Sequence, residues 1–173
     1  MKPRTFAFSL AWMILFVLPA SAQDDYLSQM RQKWTNSTNY ILEAIELMPE
    51  EKFNFRPAPE VQSFREQIQH ALQNMCWLSS TYLGGGPFDK ELEKEDQSKE
   101  ELLTLAREAV AFSSQALEQL EEQDLRMQVR FFAGPMRVRQ IVNLMHDHLT
   151  HHQGQIVIYL RMNSIRPPRY VGW

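Results

Sequence analysis

The sequence predicts an all-α fold, an antiparallel four-helix bundle, and three observations carry that prediction. Four long stretches place apolar residues three and four apart, the repeat that lines one side of a helix. Two of them open with a capping box, Ser63-Phe-Arg-Glu66 and Ser98-Lys-Glu-Glu101, in which the serine and the glutamate each satisfy an orphan backbone N–H. Proline and glycine clusters separate the stretches, and no two segments alternate well enough to make a convincing strand pair.

In chain order, residues 1–22 have the form of an export signal. Lys2 and Arg4 give a basic start, Phe6 to Leu18 is apolar, and Ala20-Ser21-Ala22 offers a small-residue cleavage site before Gln23. Cleavage there would leave residues 23–173 as one bundle domain in the periplasm or outside the cell. The apolar run is short for a bilayer span, so an uncleaved anchor is the weaker alternative and the mature chain should have no stable membrane span. Asp24 and Asp25 suit the N-terminal end of a first helix, which runs through Tyr26, Met30, Trp34, Tyr40, Ile41, Ile45 and Met48 and stops near Pro49. Residues 49–62 hold three prolines and read as an ordered loop pinned by Phe53 and Phe55.

The second helix carries Phe64, Ile68, Ala71, Leu72, Met75, Leu78 and Tyr82, and Gly84-Gly85-Gly86-Pro87 ends it. That glycine run is not a phosphate loop, because it lacks the Gly-Lys-Ser/Thr close and follows no strand. Residues 88–97 mix charges of both signs and read as a solvated connection. A third helix follows through Leu102, Leu105, Ala109, Phe112, Ala116 and Leu120. Residues 127–132 could be extended briefly before Gly134-Pro135 resets the chain. The fourth helix is expected from about Met136 to Asn163, with Asn163 as a left-handed cap and Pro167-Pro168 preventing resumption.

The formal net charge is −3, and removing the signal's two basic residues makes the mature chain more acidic still. A nucleic-acid partner is therefore not expected, since phosphate binding wants a basic face. Cys76 is the only cysteine, so core packing rather than a disulfide must stabilise an exported chain. Its apolar neighbours Met75, Trp77 and Leu78 point to a buried, inert thiol. Trp34, Trp77 and Trp173 read as extra aromatic surface, from which a homodimer is expected.

Four of the five histidines fall between positions 146 and 152. On a helix, His148 and His152 sit one turn apart on one side, the spacing by which two imidazoles share a metal. A seam through Ile141, Met145, His148, His152, Gln155, Tyr159 and Met162 would turn both inward and leave His146 and His151 off the stripe. Inward imidazoles are costly unless a metal ion or a polar network satisfies their nitrogens. His70 falls on the flank of the second helix's apolar arc, beside Asn74 and Trp77, and periodicity alone does not recruit it.

Three stretches bear a resemblance: Pro49-Glu-Glu-Lys-Phe-Asn-Phe-Arg-Pro57, Ser63-Phe-Arg-Glu-Gln-Ile-Gln-His70, and His148-Leu-Thr-His-His-Gln-Gly-Gln-Ile-Val-Ile-Tyr-Leu-Arg161 followed by Pro167-Pro168. With them the chain resembles the DinB family, the YfiT-like damage-inducible four-helix bundles, over nearly its whole mature length. The resemblance implies a three-histidine metal site made by His70, His148 and His152. It departs at Gln153, where many relatives have arginine, which puts an anionic-substrate contact from that position in doubt. His151 and His146 are expected to be solvated or to support the ligands, and Gln155 either to hydrogen-bond a ligand or to pack.

Three imidazoles leave a coordination position open on a divalent ion, and they suit zinc, nickel, copper or iron. Relatives of this kind include S-transferases using low-molecular-weight thiols, an isomerase, and many proteins of unassigned activity. The expected function is that of an exported metal-dependent enzyme of hydrolase or thiol S-transferase type acting on an unidentified small molecule. The alternative is a non-catalytic helical module, metal-braced or metal-free, since no nucleophile or general base accompanies the histidines at a recognisable spacing. Arg56, Tyr159 and Arg161 are candidates for lining a pocket.

Overall fold

The computed structural model describes residues 26–173; the stretch expected to be an export signal, its expected cleavage point and Asp24-Asp25 lie outside the described residues. Four helices form: α1 (Tyr26–Leu47), α2 (Phe64–Tyr82), α3 (Lys99–Glu118) and α4 (Val138–Met162). Both capping boxes close. Ser63 donates its backbone N–H to Glu66 Oε2 at 2.6 Å while Ser63 Oγ accepts from the Glu66 N–H at 3.3 Å. Ser98 and Glu101 repeat this at 2.8 and 3.2 Å.

The cross-bundle contacts give the topology. Arg31 reaches Leu117 and Leu120 while Lys99 reaches Glu46 and Met48, so α1 and α3 are antiparallel. Phe64 meets Tyr159 and Ser79 meets Met145, so α2 and α4 are antiparallel as well. By contrast, α4 runs parallel to α1, with Tyr26 on Asn143 and Ser37 on Gln153. Residues 83–98 must therefore carry the chain back along the bundle before α3 can start. Gly84, with φ of +75°, makes the turn out of α2, and the Gly85 N–H caps the Ser79 carbonyl at 3.0 Å. The return crossing is not simply solvated: Gln97 is buried, accepting from Gln69, and the Lys94 carbonyl takes a second bond from the same amide.

Trp34, Ile41, Ile45, Phe53, Phe64, Ile68, Leu72, Met75, Leu102, Leu117, Ile141 and Ile156 are among the residues that fill the core. Phe53 is carried there by the proline-rich loop, which contains a short 3₁₀ turn at Glu50–Lys52, and it packs on Phe64. Trp34 is only 1% exposed, which corrects the expectation that it supplies surface; Trp77 and Trp173 do, at 39% and 68%. Cys76 is buried as expected, and desolvation pushes its thiol up to about 12. No described helix is long and apolar enough to cross a membrane.

Two local expectations are corrected. Residues 128–137 form an antiparallel hairpin, β1 (Gln128–Phe131) with β2 (Gly134–Arg137), pairing Val129 with Met136 and Phe131 with Gly134. The strand pair takes the residues assigned to the start of α4, which begins at Val138. At the far end, Asn163 keeps a negative φ of −96° and gives its amide to the Tyr159 carbonyl, and Ser164 takes the left-handed conformation at φ 61°.

Replacing Ser63 or Ser98 by alanine should each cost about 1 kcal/mol in urea denaturation. Hydrogen bonding from the Ser63 backbone holds the Glu66 carboxyl below its ordinary 4.5. Its contribution is therefore complete above that pH and lost as pH falls through the lower folded value. Glu66→Gln should lose less stability than the wild type on acidification below pH 4.5.

Candidate metal centre

The antiparallel register of α2 and α4 lays His70 against His148 and His152. Ring centroids are 5.0 Å apart for His70–His148, 4.9 Å for His70–His152 and 4.4 Å for His148–His152. One ring nitrogen from each lies within 4.8 Å of the others. The Nε2 atoms of His148 and His152 are 3.3 Å apart, close to the separation of about 3.3 Å for two nitrogens bound to one tetrahedral ion. The donor set fits a divalent transition metal, and ring rotation can tighten the wider edges.

The tautomer of His152 follows from its neighbour. Gln67, buried one turn before His70, places Oε1 2.7 Å from His152 Nδ1, and an amide oxygen can only accept. Nδ1 therefore carries the proton and Nε2 turns its lone pair toward His148, as a ligand held from behind should. In turn, His148 Nε2 either donates a proton to that lone pair or shares a cation with it. Further along α4, the Tyr159 hydroxyl donates to the Gln62 carbonyl and its ring packs edge-on against Phe55. The proline-rich loop is thus tied to the same end of the α2–α4 seam.

Desolvation lowers the pKa of His148 to about 4, helped by the neighbouring His70 and His151. His152 is lowered to about 4 by the same burial, with His148 next in effect. Both are neutral at physiological pH, the form that coordinates a metal.

The remaining expectations fare unevenly. His152 is buried, whereas His148 is half-buried and Met162 exposed, so the inward stripe is not the single seam drawn from Ile141 to Met162. His146, expected to be solvated or to support the ligands, is instead buried with Nε2 3.2 Å from Ser37 Oγ on α1. Gln153 also faces α1, donating to the Ser37 carbonyl at 2.6 Å, so it makes no contact with the triad. Gln155 hydrogen-bonds His151 at 2.8 Å, while its own Oε1 and Asn74 Oδ1 are buried without a partner. Arg56 pairs with Glu66 rather than opening into the site. Sequence reading missed Gln67, whose only signal is a polar residue inside the buried arc of α2.

The sequence model of the DinB superfamily matches residues 33–156. An uncharacterized protein of Bacillus subtilis, YjoA, is 23% identical over 139 residues, covering 78% of this chain and 88% of the relative. The crystal structure of that DinB-like protein superposes with a TM-score of 0.69, covering 82% of this chain and 97% of the other. A DinB-like protein from Bacillus cereus, 19% identical, reaches 0.73 over 83% and 97%.

Two histidines with lowered pKa bind fewer protons folded than unfolded below pH 6.5. In chelator-treated protein, stability should fall as pH drops from 6.5 toward about 4. A His148→Gln/His152→Gln variant should show a shallower slope by urea denaturation over the same range.

Proposed function

The chain belongs to the DinB superfamily, and from that premise we propose that it is an exported metal-dependent enzyme with an open three-histidine centre. The observation that carries the proposal is the 3.3 Å approach of two imidazole nitrogens, one of them fixed as a lone-pair donor by Gln67. His70, His148 and His152 would hold a divalent ion, which would supply a Lewis acid able to lower the pKa of water or hold a thiol as thiolate.

The chain's own residues position the ion and shape what reaches it. Gln67 orients His152, and the Tyr159–Gln62 bond anchors the loop at that end. Asn74 and Trp77 follow His70 at helical spacing, and Trp77 packs on Phe131 and stacks on Phe132 at 6.4 Å. Trp77 and Phe132 make an exposed aromatic patch two turns along α2 from His70, the face expected to meet a second copy in a homodimer, and the centre's substrate is a small molecule. Export favours hydrolysis over thiol transfer, because low-molecular-weight thiols are kept in the cytosol.

One observation favours a second reading, in which the metal only braces α2 against α4. Gln67, Gln155 and His151 hydrogen-bond to or stack on the triad and its neighbours, and among the described residues no carboxylate pairs with it to act as a base.

Protein purified without an affinity tag should contain one divalent ion per chain by elemental analysis, and His148→Ala/His152→Ala none. Gln67→Ala should weaken metal affinity by roughly 10- to 100-fold. Turnover of ester or amide substrates that disappears with chelation supports the enzyme; chelation that lowers only the melting temperature, with every substrate silent, supports the brace. Mass analysis of the exported chain should place its first residue at Gln23.

A further inference from the structure

A cleft of about 780 Å³ lies on the other side of α4, between that helix, α1 and the C-terminal tail. That is the size of a small-molecule site. Arg161 at the end of α4 and Arg166 and Arg169 on the tail all line it, facing Tyr40 of α1. None of the three guanidiniums forms an ion pair or side-chain hydrogen bond with another described residue. An exposed arginine is satisfied by water, so three unpaired ones alone identify nothing.

Tyr40 is what makes the cleft distinctive. It is only 8% exposed, yet its hydroxyl bonds to no described residue and its side chain lines the cleft. Burial covers the ring, while the hydroxyl stays open to the cleft and unpartnered within the described chain, free to donate to a guest there. Burial raises its pKa, so it remains a donor at neutral pH, and the charge of Arg161 already reaches it from across the cleft. The three guanidiniums and the Tyr40 hydroxyl can each donate into the cleft. The one carboxylate on the lining is Glu43, so the local balance is positive in a chain whose net charge is −3.

We propose that this cleft binds a small organic or inorganic anion with at least two acidic groups, carboxylate or phosphate, gripped by Arg161, Arg166 and Arg169 and bonded by the Tyr40 hydroxyl. Arginine presents paired N–H donors that match both groups in two-point fashion. The site is independent of the histidine centre. Gln153, on the cleft floor, follows His152 directly, and one residue turns the helix by about 100°, from α2 to α1.

Citrate and inorganic pyrophosphate serve as probes in calorimetric titrations at low salt, using chelator-treated, dialysed protein. The two probes separate a carboxylate from a phosphate ligand. Saturable one-to-one binding of either is expected. Arg161→Gln, Arg166→Gln and Arg169→Gln should each weaken it by about tenfold, and Tyr40→Phe should weaken it by a smaller factor. These exposed arginine changes should leave the circular dichroism and melting temperature unchanged. Binding should persist in His148→Ala/His152→Ala. No saturable binding of either probe up to 10 mM (~100-fold above the dissociation constant expected for such a grip) overturns the proposal. So does binding that survives the triple arginine substitution or vanishes with the two histidines.

Discussion

The need to satisfy two imidazoles in the seam between α2 and α4 is the constraint on which this structure turns. A ring nitrogen withdrawn from water without a partner costs about as much as a lost hydrogen bond. His152 meets that need on one side with Gln67, 2.7 Å away, and is left with a lone pair facing His148 on the other. The arrangement requires α2 and α4 to be antiparallel and in one register, since Gln67, His70, His148 and His152 come from opposite chain directions. Phe64 on Tyr159 and Ser79 on Met145 fix that register at the two ends. The metal-ready centre is thus a consequence of core packing placed several residues away from it.

α4 also works as a partition. Its buried residues include Met145, His146, Leu149, His152, Gln153 and Ile156, an arc wide enough to meet two neighbouring helices. The α2 side holds the triad. The α1 side holds His146 and Gln153, both engaged with Ser37, and opens at its end into the arginine-lined cleft. Consecutive positions 152 and 153 therefore serve different surfaces, which is why an amide at position 153 has no bearing on what binds the histidines.

This width explains what the sequence revealed and what it hid. The helices were legible because their apolar repeats, Ser63 and Ser98 caps and Gly84 turn act locally, over four or five residues. His70, His148 and His152 were legible together only through the family resemblance; spacing alone reached the pair on α4. His146 was misplaced because a single seam at three-four spacing describes a helix with one neighbour, whereas α4 has two. Trp34 was misjudged for the opposite reason, its size suggesting surface where the core had room for it. The hairpin was hidden because Gly134 and Pro135 read as chain breakers, although both sit on a two-stranded edge where a missing N–H costs little. Gln67 gave only the faint signal of a polar residue within an apolar arc, since an amide becomes informative only when its partner across the bundle is known.

Whether the centre serves folding or chemistry can be argued from the size of the core. Metal ions are needed to fold domains of roughly 40 residues or fewer, which cannot bury enough apolar surface alone. Here the histidines occupy one seam of a bundle whose four helices already enclose Trp34, Phe53, Phe64, Ile41, Ile45, Leu72, Met75 and Leu117, each almost wholly buried. Stability of that kind does not require a cation. Three imidazoles with depressed basicity at two of them, set beside the unpartnered amide oxygens of Gln155 and Asn74, are a burden on such a core rather than a support. Polar groups that a fold carries at its own expense are the kind retained for binding, and this supports the proposed open site over a structural clamp.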